Sequence, residues 1–194
     1  NWGIEKKRQG KIKHFGFSYH GTPELLEDVL DKHPEIEFVQ IQLNYADWKN
    51  PIVHSGKLFE ILTRRNIPMI IMEPVKGGKL ANVPEKVEKI FKEVHPDWSP
   101  ASWAVRFTAS LEGVICVLSG MSDMAQLRDN TSYMKDFEPL GEREMNLLKT
   151  AAGIINNKIF NRYIFTSVKK QRCHFAVNKK RCTVTVYYNI LFIF

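Results

Sequence analysis

The 194-residue chain has an ordinary globular composition, 44% hydrophobic and 25% charged, which is enough to bury one sizeable core. Its net charge of +7 is confined to one end. Residues 158–194 hold eight Lys or Arg and no Asp or Glu, which leaves 20 basic against 21 acidic groups in residues 1–157. A basic body of the kind that binds nucleic acid or a membrane surface is therefore excluded, and neither partner is predicted.

The three cysteines, Cys116, Cys173 and Cys182, are too few for a disulfide framework. Cys173 and Cys182 lie nine residues apart, which is not the spacing of a common zinc site, so we predict no metal.

No signal peptide opens the chain, and its longest apolar run is too short to span a bilayer. A cytoplasmic location is the expectation.

The chain repeats one unit, an apolar run followed by an amphipathic helix. A helix that ends near residue 9 comes first, and strands are then predicted at 12–17, 37–43, 68–72 and 114–118. Helices are predicted at 56–65, 84–94, 100–111 and 142–155. Another helix is predicted to begin at residue 22, and the helix that follows the fourth strand is predicted to end at residue 134. Strands that alternate with helices at this spacing are parallel and joined by right-handed crossovers. The fold class is α/β with about four parallel strands, whereas a closed barrel needs eight units.

Each predicted strand ends in polar or glycine-rich residues. These residues are Ser18, Tyr19 and His20; Gln42, Asn44 and Tyr45; Glu73, Pro74, Lys76 and Gly77; and Ser119, Gly120 and Ser122. In parallel α/β folds the ligand meets the carboxyl ends of the strands. The sequence therefore predicts one ligand-binding rim.

The stretch 113–130 is the centre of this prediction. Residues 114–118, with Cys116 among them, are expected to form a fully buried strand. Ser119-Gly120 then turns the chain into a helix capped by Ser122 or Asp123. Its predicted apolar face consists of Met124, Leu127 and Met134. A turn followed by a helix N-terminus suits a phosphate group.

Several polar residues allow two interpretations. Gln42 can hold a carboxamide or satisfy neighbouring backbone groups. His20 can be an acid or base, or a solvated surface group. Glu73 can be a base or a carboxylate that binds loop N–H groups. Lys76 and Lys79 flank two glycines, which suits a diphosphate or merely a turn.

Four segments together resemble the C-terminal half of an aldo/keto reductase. They are GKIKHFGFSYHG, VQIQLNYAD, IPMIIMEPVKGGKL and ASWAVRFTASLEGVICVLSGMSDMAQLRDN. The resemblance covers residues 1–157 and is closest to bacterial members with a ferredoxin-like C-terminal extension. It implies the fifth to eighth strands of a (β/α)8 TIM barrel, in an enzyme that transfers hydride between NADP(H) or NAD(H) and a carbonyl carbon.

The resemblance implies a set of cofactor-binding residues. Ser18 and Gln42 match residues that hold the nicotinamide carboxamide, and Glu73-Pro74-Val75 belongs to the seventh-strand motif, in which Met72 replaces an aromatic ring. Lys76 and Gly77, from the lysine and glycine pattern already described, are added to this set as the suggested diphosphate contacts. The residues implied for the 2′-phosphate and adenine are Ser119, Gly120, Met121, Ser122, Gln126, Asp129 and Asn130. Gln126 stands where an arginine often grips the 2′-phosphate, so NADP(H) and NAD(H) both stay open.

The family's catalytic Asp, Tyr, Lys and His belong to the first four strands, so no catalytic residue is assigned and the chain alone is expected to be inactive. The carbonyl substrate is not identifiable from these residues. Relatives of this type carry a cysteine run for an iron–sulfur cluster, and that run is missing here.

Residues 158–194 form an atypical basic and apolar tail. A shifted reading frame or read-through is the preferred explanation. Attachment to nucleic acid or a membrane through 169–181 and the apolar end is an alternative, although 184–194 is more typical of an aggregation-prone strand.

The predicted sheet suggests an alternative function for the body of the chain. Because four parallel strands leave two unpaired edges, this alternative is an assembly module that self-associates through those edges.

Overall fold

A computed structural model describes residues 2–170 and 190–193 of the chain. Its strands are β1 (His14–Tyr19), β2 (Phe38–Gln42), β3 (Met69–Met72), β4 (Val114–Val117) and β5 (Ile190–Ile193). Its helices are α1 (Trp2–Arg8), α2 (Pro23–Lys32), α3 (Ser55–Arg64), α4 (Glu85–Val94), α5 (Pro100–Ala109), α6 (Met124–Met134) and α7 (Glu142–Lys170).

Strands β1 to β4 form one parallel sheet in the order of the chain. Phe17 pairs with Val39, and the same parallel pairing continues from β2 to β3 and from β3 to β4. Each pair is connected through at least one helix. The predicted α/β fold with four parallel strands is therefore confirmed.

One face of the sheet packs against the helices. Val39, Ile41 and Leu43 alternate along β2 and its continuation, and they join a single core with α2 and α3. The helix residues of this core include Leu26, Leu30, Leu58 and Leu62. Since the two leucines of each helix lie four residues apart, each helix presents one apolar stripe to the sheet.

The starts of α2 and α5 follow local capping chemistry. The Thr22 hydroxyl accepts a hydrogen bond from the Leu25 N–H at 3.4 Å, and the Ser99 hydroxyl accepts one from the Ser102 N–H at 3.0 Å. A proline follows each cap at the first helical position, where its missing N–H costs nothing. Both predicted starts are confirmed.

Strand β4 and helix α6 correct two expectations. The predicted fully buried strand is wrong: Ile115 is 60% exposed and Cys116 is also exposed. The reason is that β4 lies at the edge of the described sheet, so only β3 pairs with it. The predicted apolar face of α6 is exposed as well, at Met124, Leu127 and Met134, and Tyr133 is its buried residue instead.

The end of the chain changes the expected sheet edges. Strand β5 pairs antiparallel with β1, with Leu191 opposite Gly16. Strand β5 thus covers the edge that β1 would leave open, and the two edge strands of the described sheet are β4 and β5. Helix α7 also runs without a break through the predicted boundary at residue 157. Cys173, Cys182 and most of the basic tail lie outside the described residues.

None of the helices described between residues 2 and 170 combines the length and the apolar character that crossing a bilayer requires.

Candidate functional site

A groove of about 460 Å³ lies at the carboxyl ends of β3 and β4. The loop after β3 forms one wall, and the loop after β4 together with the first turns of α6 forms the other. Eleven of the fourteen residues predicted from the sequence line it. They are Glu73, Pro74, Val75, Gly77, Ser119, Gly120, Met121, Ser122, Gln126, Asp129 and Asn130.

The loop after β3 has an unusual backbone. Glu73 and Lys76 have positive φ angles of 54° and 52°, and Gly77 and Gly78 have 59° and 83°. Side-chain-bearing residues seldom adopt this left-handed conformation, so surrounding contacts must hold it. Glycines at the last two positions adopt it without a steric penalty.

A buried polar cluster holds that loop in place. The Lys76 ammonium pairs with the carboxylate of Asp47, a buried residue. Asn44 is fully buried, and its amide donates to Asp47 Oδ2 at 3.0 Å and to the Glu73 carbonyl oxygen at 3.3 Å. Because a buried carboxylate needs a counter-charge and hydrogen-bond donors, these contacts fix the loop to the end of β2.

The opposite wall is ordered by short-range hydrogen bonds. Asp123 caps α6, since its Oδ1 accepts from the Gln126 N–H at 2.9 Å. The Gln126 Oε1 accepts from the Ser122 N–H at 2.8 Å. One turn further on, the Asn130 amide donates to the Ser119 hydroxyl at 2.9 Å. The amino end of α6 therefore opens onto the groove with its positive dipole end, which favours an anionic group.

Asp129 is oriented from behind by helix α5. The Ser99 hydroxyl donates to Asp129 Oδ2 at 2.6 Å.

The Arg106 guanidinium packs against two aromatic rings. It lies 4.0 Å from the Trp98 ring centroid and 4.9 Å from that of Tyr133. Burial lowers the pKa of Arg106, with the nearby Tyr133, Glu138 and Asp129 acting in the opposite direction. Burial also raises the pKa of Tyr133, so its hydroxyl stays protonated and donates to Asn130 Oδ1 at 2.6 Å.

Three predicted residues do not line the groove. Lys76 faces Asp47, as described. Gln42 donates from its amide to Glu73 Oε2 at 3.0 Å, and the Ser18 hydroxyl lies 3.1 Å from His20 Nε2. Ser18 and Gln42 stand at the ends of β1 and β2, so they lie along the same rim of the sheet as the groove.

The groove also contains residues that the sequence did not indicate. They are Gly78, Ala81, Asn82, Ala101 and Leu118. Gly78 is the second of the two glycines between Lys76 and Lys79. Ala101 is a small residue on α5, and no sequence pattern indicates that it lines a ligand site. Only the packing of α5 beneath the loop brings it to the groove.

A parallel sheet with a ligand groove at its carboxyl strand ends is the arrangement of α/β barrel enzymes. The family model of aldo/keto reductases matches residues 4–152. The chain belongs to the aldo/keto reductase family.

Solved structures show the same fold at low identity. The thermostable aldo-keto reductase Tm1743 in complex with the inhibitor epalrestat is 22% identical, with a TM-score of 0.60 over 76% of this chain and 52% of that one. The holo form of AKR11C1 from Bacillus halodurans is 20% identical, with a TM-score of 0.60 over 77% and 53%. An aldo-keto reductase from Klebsiella pneumoniae in complex with NADPH is 13% identical, with a TM-score of 0.56 over 76% and 51%.

The chain thus spans about half the length of these structures, and its four strands form part of a TIM barrel. A search of curated proteins found no match.

Proposed function

We propose that this chain is the cofactor-binding half of an aldo/keto reductase and that the groove binds the phosphate-bearing part of NADP(H) or NAD(H). The observation that carries the proposal is the meeting of eleven predicted cofactor residues in one groove. The NADPH complex of the Klebsiella pneumoniae relative supports the choice of ligand. Ser119 to Ser122 and the first turns of α6 are suited to the 2′-phosphate and adenine end, and the loop after β3 to the diphosphate.

The nicotinamide is proposed to extend from the groove toward the ends of β1 and β2. Ser18 and Gln42 are the residues proposed for its carboxamide, because each has a side chain that can exchange hydrogen bonds with an amide. For this to happen, the Gln42 amide must leave the carboxylate of Glu73. The proposal also holds that the 194-residue chain alone binds cofactor weakly and reduces no carbonyl, since the family's Tyr acid and its partners have no counterpart in it.

Introducing an arginine at Gln126 tests where the 2′-phosphate lies. Gln126→Arg is expected to raise the preference for NADPH over NADH by about ten-fold, because a guanidinium pairs with a phosphate through charge-assisted hydrogen bonds. The measurement is quenching of the reduced nicotinamide fluorescence in titrations with each cofactor. The ratio of the two affinities cancels any loss of the Gln126 contacts to Ser122 and Asp123.

Thr131→Arg is the matched control, since it places the same charge on an exposed position of the same helix. Equal effects of the two variants would indicate net charge alone, and an unchanged ratio in Gln126→Arg would reject this position for the 2′-phosphate. Carbonyl turnover by the unmodified chain would contradict the proposed lack of activity.

The exposed edge of β4 supports a second candidate function, an assembly module in which two copies pair through β4. Ile115 is 60% exposed and Leu118 is 41% exposed beside backbone groups that no described strand pairs. An apolar sheet edge of this kind favours pairing with another strand. The second edge that the sequence predicted, at β1, is covered by β5, so this proposal places the pairing at β4.

A charged residue on this edge should block such a dimer. Ile115→Lys is expected to convert a dimer to a monomer in light scattering, because a lysine there would be desolvated on pairing. Ile52→Lys, at a position that is 85% exposed in a loop, is the control and should leave the dimer intact. A parent chain that stays monomeric at about 100 μM, well above the Kd of a stable dimer, would rule this function out.

A further inference from the structure

A second cavity, of about 690 Å³, lies in the helix layer and shares no residue with the groove. The segment after β2, helix α5 and helix α7 enclose it. Its apolar lining comprises Ala46, Trp48, Phe107, Leu111, Met145, Leu148 and Ala152. A cavity of this size with a mostly apolar wall is typical of small-molecule sites.

A buried hydroxyl in the cavity wall lacks a hydrogen-bond partner. Tyr45 lines the cavity and is 3% exposed, and none of the described residues bonds to its hydroxyl. Burial raises the pKa of this hydroxyl, so it remains a donor. The hydroxyl oxygen itself is sealed from solvent, so Tyr45 forms part of the wall and its hydroxyl is not open to a bound molecule.

The charged residues around the cavity are all cationic. Among the residues that the structure describes, Lys49 and Lys149 line it and no Asp or Glu does. The Lys149 ammonium donates to Asn146 Oδ1 at 2.9 Å, and Lys49 forms no ion pair with any described residue. Asn156 is already used, since its amide donates to the Ala46 carbonyl oxygen at 2.9 Å. An apolar wall beside two cations complements a molecule with an apolar body and an anionic group.

We propose that this cavity binds a small amphipathic carboxylate, with the apolar part against α5 and α7 and the anionic group drawn to Lys49 and Lys149. This site is separate from the proposed cofactor groove, and it does not depend on cofactor binding or on catalysis.

Calorimetric titration of the full chain with decanoate tests the proposal, with decanol as the uncharged comparison. Decanoate is expected to bind with a negative heat-capacity change, which marks burial of apolar surface, and about ten-fold more tightly than decanol. Gly153→Leu is the main variant. Gly153 lies on α7 at the cavity, and an added Cβ there would meet no atom within 4 Å.

Leucine at residue 153 favours the helix while it fills the cavity, so a loss of decanoate affinity of about ten-fold or more is expected without unfolding. Ala152→Trp is a second cavity-filling variant with the same expected loss. The double variant Lys49→Met with Lys149→Met should bring decanoate down to the affinity of decanol. The double variant Lys86→Met with Lys135→Met removes the same charge elsewhere on the surface and should change nothing.

Absence of decanoate binding, or binding that both cavity-filling variants retain, would overturn the proposal. Equal losses in the two lysine double variants would also contradict it, because they would show a response to net charge and not to this cavity. Circular dichroism of each variant shows whether the fold is kept.

Discussion

Lys76→Met is expected to lower the free energy of unfolding by about 3 kcal/mol, because it leaves the buried carboxylate of Asp47 without its counter-charge. The Asp47 side chain is 2% exposed and that of Lys76 is 19% exposed, so water screens this pair poorly. The loop after β3 also depends on it, since Lys76 itself has a positive φ angle. Urea unfolding followed by circular dichroism measures the change.

Lys79→Met is the matched control, at an exposed position three residues further along the same loop. It should change stability by less than about 0.5 kcal/mol. Adding Asp47→Asn to Lys76→Met should restore part of the loss, because the unpaired buried charge is then gone. A stable Lys76→Met variant that has lost cofactor affinity would favour the sequence-based prediction that Lys76 contacts the diphosphate.

Trp103→Ala is expected to destabilise the chain by about 3–5 kcal/mol, which is the usual cost of removing a large buried aromatic side chain. Trp103 is fully buried on α5. Its ring stacks on Phe91 with centroids 4.6 Å apart and meets Trp98 edge to face at 5.1 Å. The cavity left by alanine would separate α4 from α5, and α5 carries the Ser99 that orients Asp129. Thermal and urea unfolding are the measurements.

Two variants separate packing from other effects. Trp2→Ala removes the same side chain where it is 62% exposed, so its cost should stay within about 1 kcal/mol even though Lys6 lies over the ring. Trp103→Phe keeps an aromatic ring and removes an indole N–H for which the described residues offer no hydrogen-bond partner. It should cost less than the alanine variant, and an equal cost would contradict the packing explanation.

The sequence predicted the groove better than it predicted burial. Polar residues at strand ends meet at one rim in any parallel sheet, so the loops at Glu73 and Ser119 could be placed together before the structure was known. The continuous apolar run 114–118 predicted a strand that is buried on both faces. Ile115 is exposed because burial depends on a neighbouring strand, and no local pattern states whether that neighbour is present.

The role of Lys76 shows the same limit within the site. A lysine beside two glycines is typical of a phosphate loop, and the sequence predicted a diphosphate contact. In the structure it pairs with Asp47, which lies 29 residues earlier in the chain. Neither residue type nor spacing could select this pairing over a solvated lysine, because it arises only when the segment after β2 packs beneath the loop.

The sequence by itself determined the order of strands and helices, the cap of α6 to within two residues, the family, and the rim on which the groove lies. These features follow from periodicity and from residues close together in the chain, so local physics specifies them. The tertiary structure alone decided that β4 is an exposed edge, that β5 covers β1, that Lys76 forms an ion pair with Asp47, and that a second cavity lies beside Tyr45. Each of these depends on which distant segments pack together, and that packing is a property of the folded chain as a whole.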